Sequence, residues 1–168
     1  MNIEQTFDIY EAKANVKSAL SATSNWRQSA AEDYAFMQGK QWEDADLKKM
    51  REAGRPVITI NRIRATVNLL CGYASQNETE PDFLPRSEED DRISRVAKGI
   101  TKYCLDRAHY QRNKGKCFRD KIICGLANYW VSYEFDYTKL DGAIKIDRVS
   151  PFDVFVDPES TEENLSDA

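Results

Sequence analysis

The sequence of 168 residues has no apolar run of the roughly 18 to 20 residues that a membrane-spanning helix needs. Its start carries Glu4 and Asp8, whereas a secretory signal begins with basic residues followed by an apolar stretch. Lysine plus arginine number 24 and aspartate plus glutamate 28, which gives a formal net charge of -4. A membrane protein is therefore excluded, and we expect a single cytoplasmic domain without a general attraction to nucleic acid or anionic lipid.

Groups that carry common enzyme chemistry are scarce. The single histidine, His109, lies in a basic and polar setting that is typical of a structural surface residue. The seven glycines are isolated, so no phosphate-binding loop is predicted. No C-x-x-C pair occurs, which favours reduced and mostly buried thiols over a zinc site or a disulfide framework for Cys71, Cys104, Cys117 and Cys124. The sequence thus predicts no catalytic residue, metal site or cofactor.

One carboxylate pair leaves an enzymatic alternative open. Asp153 and Asp157 lie four residues apart, so in an extended segment they would share a face and could hold a metal ion of a small hydrolase. Aspartates beside prolines more often cap turns through the backbone, which is the interpretation we favour.

Apolar spacing predicts helices over the first half of the chain. Residues 1–38 carry two helical stripes, and Gly39 is a stop signal. A short helix over about residues 44–53 has acidic residues first and basic residues last, as the helix dipole favours. Residues 57–59 are expected to be extended, and Asn61 is placed to cap a helix that runs to about Ala74.

Two further helices are predicted before the sheet. Pro81 and Pro85 mark an extended connection, after which the acidic run at 88–91 opens a helix. The residues of this helix that are expected to face inward are Ile93, Val96, Ala97, Ile100 and Cys104. After a polar break near Asn113, a last helix carries Phe118, Ile122 and Leu126, with Lys114 and Lys121 near the rim of this apolar face.

The spacing of apolar residues changes to two after residue 128. Tyr129, Val131, Tyr133, Phe135 and Tyr137 alternate with polar residues, which predicts a strand that turns at 139–142 and returns over 143–149. A hairpin alone is marginal in water, so we expect its aromatic face to pack on the helices or on another chain. The predicted class is α+β, with a mainly helical region at 1–127, a hairpin plus a short extended segment at 128–158, and a loose acidic tail at 159–168.

A positive block of sequence precedes a negative one. Residues 102–121 hold seven basic and two acidic residues, whereas three basic and ten acidic residues follow from 122 onward. This asymmetry suits head-to-tail contacts between subunits, although two solvated faces of a monomer also explain it. The block could contact DNA phosphates as part of a small nucleic-acid-binding adaptor, but helical periodicity scatters its cations around the axis. The candidate DNA or subunit contacts are Lys102, Arg107, Arg112, Lys114, Lys116, Arg119 and Lys121.

Short motifs follow one another in a distinctive order from about Tyr34 onward. They are Gly-Lys-Gln-Trp at 39–42, Gly-Arg-Pro-Val at 54–57, Asn61, Gly72, Gln-Asn at 76–77, Pro81, Pro85, Ile144, Ile146, Arg-Val-Ser-Pro-Phe-Asp-Val at 148–154, Asp-Pro at 157–158 and Ser-Asp-Ala at 166–168. In this order they resemble the N-terminal part of the portal proteins of short-tailed double-stranded DNA phages and their prophages.

The resemblance implies a structural, non-enzymatic subunit of a dodecameric ring at one capsid vertex of the virion, made in the host bacterial cytoplasm. The implied partners are other copies of the chain, the terminase motor, the coat protein, the tail adaptor and double-stranded DNA that passes through the channel, with no membrane. Portal proteins of this kind are several times longer, so the resemblance also implies that the chain is an N-terminal fragment.

Overall fold

The computed structural model describes residues 8–77, 79–87, 90–137 and 141–160. The predicted acidic tail lies outside these residues from 161 onward, as do residues 88 and 89 of the acidic run and residues 139 and 140 of the turn. No helix of the described chain is both long enough and apolar enough to cross a membrane.

Three helices form the N-terminal part: α1 (Ile9–Ala22), α2 (Ser24–Gln38) and α3 (Asp44–Glu52). Asp8 caps α1 by accepting a hydrogen bond from the Tyr10 N–H at 2.8 Å. The Thr23 hydroxyl donates to the Ala19 carbonyl at 2.7 Å and accepts from Arg27 Nε, so local side-chain bonds divide the predicted stretch into two helices. Gly39 ends α2 as predicted, with a φ of 97° that favours glycine.

The next helices are α4 (Arg62–Gln76), α5 (Asp91–Arg107) and α6 (Tyr110–Cys124). The predicted cap is confirmed, since Asn61 Oδ1 accepts from the Arg64 N–H at 2.9 Å. The break between the last two helices was predicted near Asn113, and this position was wrong. The break lies at His109, whose φ of 51° is left-handed, and Asn113 lies inside α6.

The hairpin consists of β1 (Asn128–Asp136) and β2 (Asp141–Val149), paired antiparallel so that Tyr129 is opposite Arg148 and Phe135 opposite Gly142. A side chain at Gly142 would collide with the Tyr133 ring, so the ring lies across this glycine. A 3₁₀ helix at Pro151–Asp153 follows. The predicted α+β class, with helices first and a hairpin after them, is confirmed.

The core is small and lies around α6, which packs on α2, α4 and the hairpin. The buried apolar residues of the described chain are Ala19, Ala30, Val67, Ala108, Cys117, Cys124 and Pro151. All four cysteines are free, and two of them, Cys117 and Cys124, are buried.

The inward orientation predicted for α5 was wrong. Ile93, Val96 and Ile100 are 65%, 55% and 58% exposed, and Ala97 and Cys104 are only half-buried. Periodicity identifies the apolar face of a helix but not what covers it, and no element of the described chain covers Ile93, Val96 or Ile100.

Candidate subunit interface

A buried polar cluster attaches the hairpin to the helices. Asp120 of α6 is 4% exposed, accepts a hydrogen bond from the Tyr34 hydroxyl at 2.7 Å and forms an ion pair with Arg148 of β2. Burial and the nearby Asp120 carboxylate raise the pKa of Tyr34, and the hydrogen bond to Asp120 raises the pKa of Arg148. The cluster therefore keeps the phenol protonated and the guanidinium charged, and it connects α2, α6 and β2.

A second set of contacts attaches the segment after the hairpin to α2. Arg27 donates to the carbonyls of Phe152 at 2.6 Å and Val154 at 3.0 Å, and its guanidinium carbon lies 4.8 Å from the centre of the Phe155 ring. The Phe152 ring packs at 5.7 Å from the Tyr34 ring. These contacts hold residues 152–155 against the face of α2 that also carries Tyr34 of the buried cluster.

The cations of residues 102–121 do not converge on one groove. Lys102 pairs with Glu80 at 3.1 Å and Arg107 with Asp141 at 2.8 Å, while Arg119 donates to Asn68 at 2.8 Å. The side chains of the other four have no ion pair or hydrogen bond within the described chain: Arg112, Lys114, Lys116 and Lys121. Whether any of these residues contacts DNA or another subunit stays a prediction.

A groove of about 440 Å³ lies between α4, α6 and the start of β1. It is lined by Phe118 and Tyr129, and by Lys114 and Lys121 from the same face of α6, as the spacing predicted. Arg112, Lys116 and Arg119 do not line the groove, so α6 carries its cations on two different sides.

The aromatic face of the hairpin is covered only at its base. The Tyr129 ring lies 6.0 Å from the Tyr110 ring, and partial burial raises the pKa of Tyr129, although the residue is still 40% exposed. Further along β1, Val131 and Tyr133 are 65% and 67% exposed, and Phe135 is also exposed. The prediction that this face packs on the helices therefore holds only in part, for its first residue, and the rest of the face is exposed.

The carboxylate pair does not form the extended arrangement that a metal site was predicted to need. Asp153 lies in the 3₁₀ helix, and Asp157 Oδ1 accepts from the Glu159 N–H at 2.9 Å, which is the turn cap that we favoured. Within the described ranges, no group of three or more His, Cys, Asp or Glu residues is placed to hold a metal ion.

Sequence analysis missed the residues that organise this part of the molecule. Tyr34 and Asp120 are 86 residues apart in the chain, and Arg27 and Phe152 are 125 apart. The one available signal was Arg27, an ionisable residue three and seven positions before Ala30 and Tyr34 of a predicted apolar stripe. Asp120 lies on the side of its helix opposite Phe118 and Ile122, so the predicted apolar face did not point to it.

Two comparisons identify the family. A family model described as "Phage P22-like portal protein" matches residues 13–168. The portal protein of Helicobacter pylori bacteriophage KHP30 is 23% identical over 154 residues, which cover 87% of this chain and 25% of that protein. The chain thus spans about a quarter of the length of this relative. Because the family model covers nearly all of the sequence, the chain belongs to the phage P22-like portal protein family.

Proposed function

We propose that this chain is the N-terminal part of a phage portal subunit, a structural and non-enzymatic component of a ring at one vertex of the capsid. The observation that carries the proposal is the family match over residues 13–168. The similar protein of bacteriophage KHP30 is itself named a portal protein. The proposed ring is dodecameric, admits DNA during packaging by the terminase motor, releases it during ejection, and joins the coat protein to the tail adaptor in the virion.

The distribution of apolar surface supports a role in assembly. The face of α5 around Ile93 and Ile100 and the hairpin face around Val131 and Tyr133 are exposed. Large apolar patches on a soluble protein mark contact sites. The unpaired cations of α6 are proposed as further subunit or DNA contacts, and their placement on two sides favours contacts between subunits.

The proposal is tested by the mass of the purified chain in solution, measured by light scattering over a wide range of concentration. We expect the mass to grow with concentration beyond that of one chain and electron microscopy to show closed rings at the high end. A mass that stays at one chain at every concentration, without rings, would contradict assembly through these residues.

A nucleic-acid-binding adaptor is the alternative, and duplex DNA is its probe. If the chain remains a monomer and binds DNA with an affinity that falls steeply with salt, the adaptor replaces the portal subunit as the proposed function.

A further inference from the structure

The backbone of the hairpin shows which of its edges is open. Asn113 Nδ2 donates to the Ile146 carbonyl at 2.7 Å, so this carbonyl points away from β1 and towards α6. In an antiparallel pair, two residues whose backbone groups point away from each other form a non-hydrogen-bonded pair, and such pairs alternate with bonded ones. Ile146 is opposite Val131, so the N–H and C=O of Val131 point outward from the other edge.

The same alternation applies along the whole of β1. Tyr129, Tyr133 and Phe135 lie an even number of residues from Val131, so their backbone groups also point outward. None of these four residues has a backbone hydrogen bond outside the ladder in the described part of the chain. α5 and α6 pack against β2, so β1 presents the open edge of the sheet. Such an edge is a template for a further strand.

The segment between α3 and α4 has the properties of a strand that pairs with such an open edge. Residues 57–60 are Val-Ile-Thr-Ile, all β-branched, and they lie outside helix and strand. Their N–H groups have no backbone acceptor in the described chain. Trp42 Nε1 donates to Thr59 Oγ1 at 3.1 Å, which holds one side of the segment, while Ile58 and Ile60 on the other side are 66% and 73% exposed.

The segment between α3 and α4 is flanked by basic residues, and the hairpin carries a small excess of acidic ones. Residues 55–64 contain Arg55, Arg62 and Arg64 and no acidic residue. None of the three arginines has a carboxylate partner among residues that the structure describes. The chain from residue 122 onward, which includes the hairpin, has ten acidic and three basic residues. The hairpin itself, at residues 128–149, holds four of these acidic residues and all three basic ones, so the edge of a second copy offers the segment a small excess of negative charge, which favours head-to-tail approach.

We propose that residues 57–60 of one copy add as a third strand to the open edge of β1 in another copy. Ile58 and Ile60 then pack beside Val131 and Tyr133 on the aromatic face, and the outward N–H and C=O groups of β1 gain partners. Each copy has one segment and one edge, so the contact repeats head to tail, as a ring requires. The inference rests on the proposed function, since it names the contact through which the subunits assemble.

The test uses two variants that each block one surface. Val131→Pro removes an outward N–H without removing a ladder bond, and Val131→Ala is its control because it keeps the N–H. Ile58→Asp combined with Ile60→Asp blocks the segment and leaves the edge intact. We expect neither blocked variant to assemble alone, whereas their mixture gives a dimer of one copy each, because one intact segment meets one intact edge. Circular dichroism checks that each variant folds.

Hydrogen exchange of the unmodified chain gives a second readout that does not depend on the proline variant. On raising the concentration, we expect protection to appear at the outward amides of Val131, Tyr133 and Phe135. The inward amides of Trp130 and Ser132 are protected at all concentrations.

A mixture of the blocked variants that stays monomeric overturns the inference, as does assembly in which the outward amides stay unprotected. If the unmodified chain still forms rings in either case, the proposed function stands and only this contact is wrong. Self-association of the Ile58→Asp, Ile60→Asp variant through its edge also overturns the inference, because it would show that two edges pair with each other.

Discussion

Asp120 shows how a single buried charge can position a whole element. It is 4% exposed, and its two carboxylate oxygens accept hydrogen bonds from different donors, the Tyr34 hydroxyl and Arg148. Removal of one partner of a buried pair leaves the other charge without compensation, which costs more than the loss of an exposed pair.

At this scale we predict that Arg148→Ala lowers the free energy of unfolding by about 2 kcal/mol, because it leaves the Asp120 carboxylate buried beside one neutral donor. Urea unfolding followed by circular dichroism measures the change. The matched control is Lys145→Ala, which removes the exposed ion pair with Glu134 and should leave the urea midpoint almost unchanged. Equal effects of the two variants would contradict the structural role of the buried pair.

Alkaline pH should weaken the fold. Burial raises the pKa of Tyr34 and Tyr129 above the ordinary value of 10.0 and that of Cys117 above 9.0. The folded chain then holds these protons to higher pH than the unfolded chain, so their stabilisation is complete below about pH 9 and is lost as the pH rises. We expect the urea midpoint to fall progressively above pH 9, and to fall less in Tyr34→Phe. A urea midpoint that rises above pH 9 would contradict the raised pKa values of these groups.

At the scale of the element, α6 offers a matched pair of glycines. Gly125 caps the helix with a φ of 81°, whereas Gly115 lies inside the helix and has open space where a Cβ would be. We expect Gly125→Ala to lower the free energy of unfolding by about 1 kcal/mol because of its left-handed backbone. Gly115→Ala should raise it by about 0.5–1 kcal/mol because alanine favours the helix. Thermal and urea unfolding test both variants. If both substitutions lower the free energy of unfolding, Gly115 has a contact outside its own helix that a side chain disturbs.

The exposed face of α5 leads to a prediction about stability and assembly together. Ile100 is exposed whereas Val67 of α4 is buried. Ile100→Gln should change the free energy of unfolding by no more than about 0.5 kcal/mol, and Val67→Ala should lower it by about 1–2 kcal/mol. If Ile100→Gln proves as destabilising as Val67→Ala, the α5 face is buried within a single chain and is not available to a second copy.

At the scale of the whole molecule, the placement of the cations limits how DNA could bind. No side of α6 carries more than three of the cations of residues 102–121, of which Arg119 is already bonded to Asn68. Each phosphate contact contributes about -0.9 to the slope of log affinity against log salt. We therefore expect duplex DNA, followed by fluorescence anisotropy, to give a slope no steeper than about -3. A slope near -6 would require all seven cations on one DNA and would favour the adaptor.

The sequence alone determined the elements whose causes are local. Helical spacing, the Asn61 cap and the Gly39 stop predicted α2 and α4, and the alternation from Tyr129 to Tyr137 predicted β1. The order of short motifs also indicated the portal family before any fold was known. The spacing and capping signals depend on residues a few positions apart, and the family signal depends on the order of the motifs, so both can be identified without a structure.

The tertiary structure decided what these elements meet. Only the folded chain brings Tyr34 to Asp120 and Arg27 to Phe152, because such contacts join residues that no local pattern connects. It also decided that Ile93, Val96 and Ile100 of α5 and most of the aromatic face of β1 remain exposed, and that β1 presents the open edge. An apolar face indicates that a covering surface is needed, but which surface covers it depends on the packing of the whole molecule.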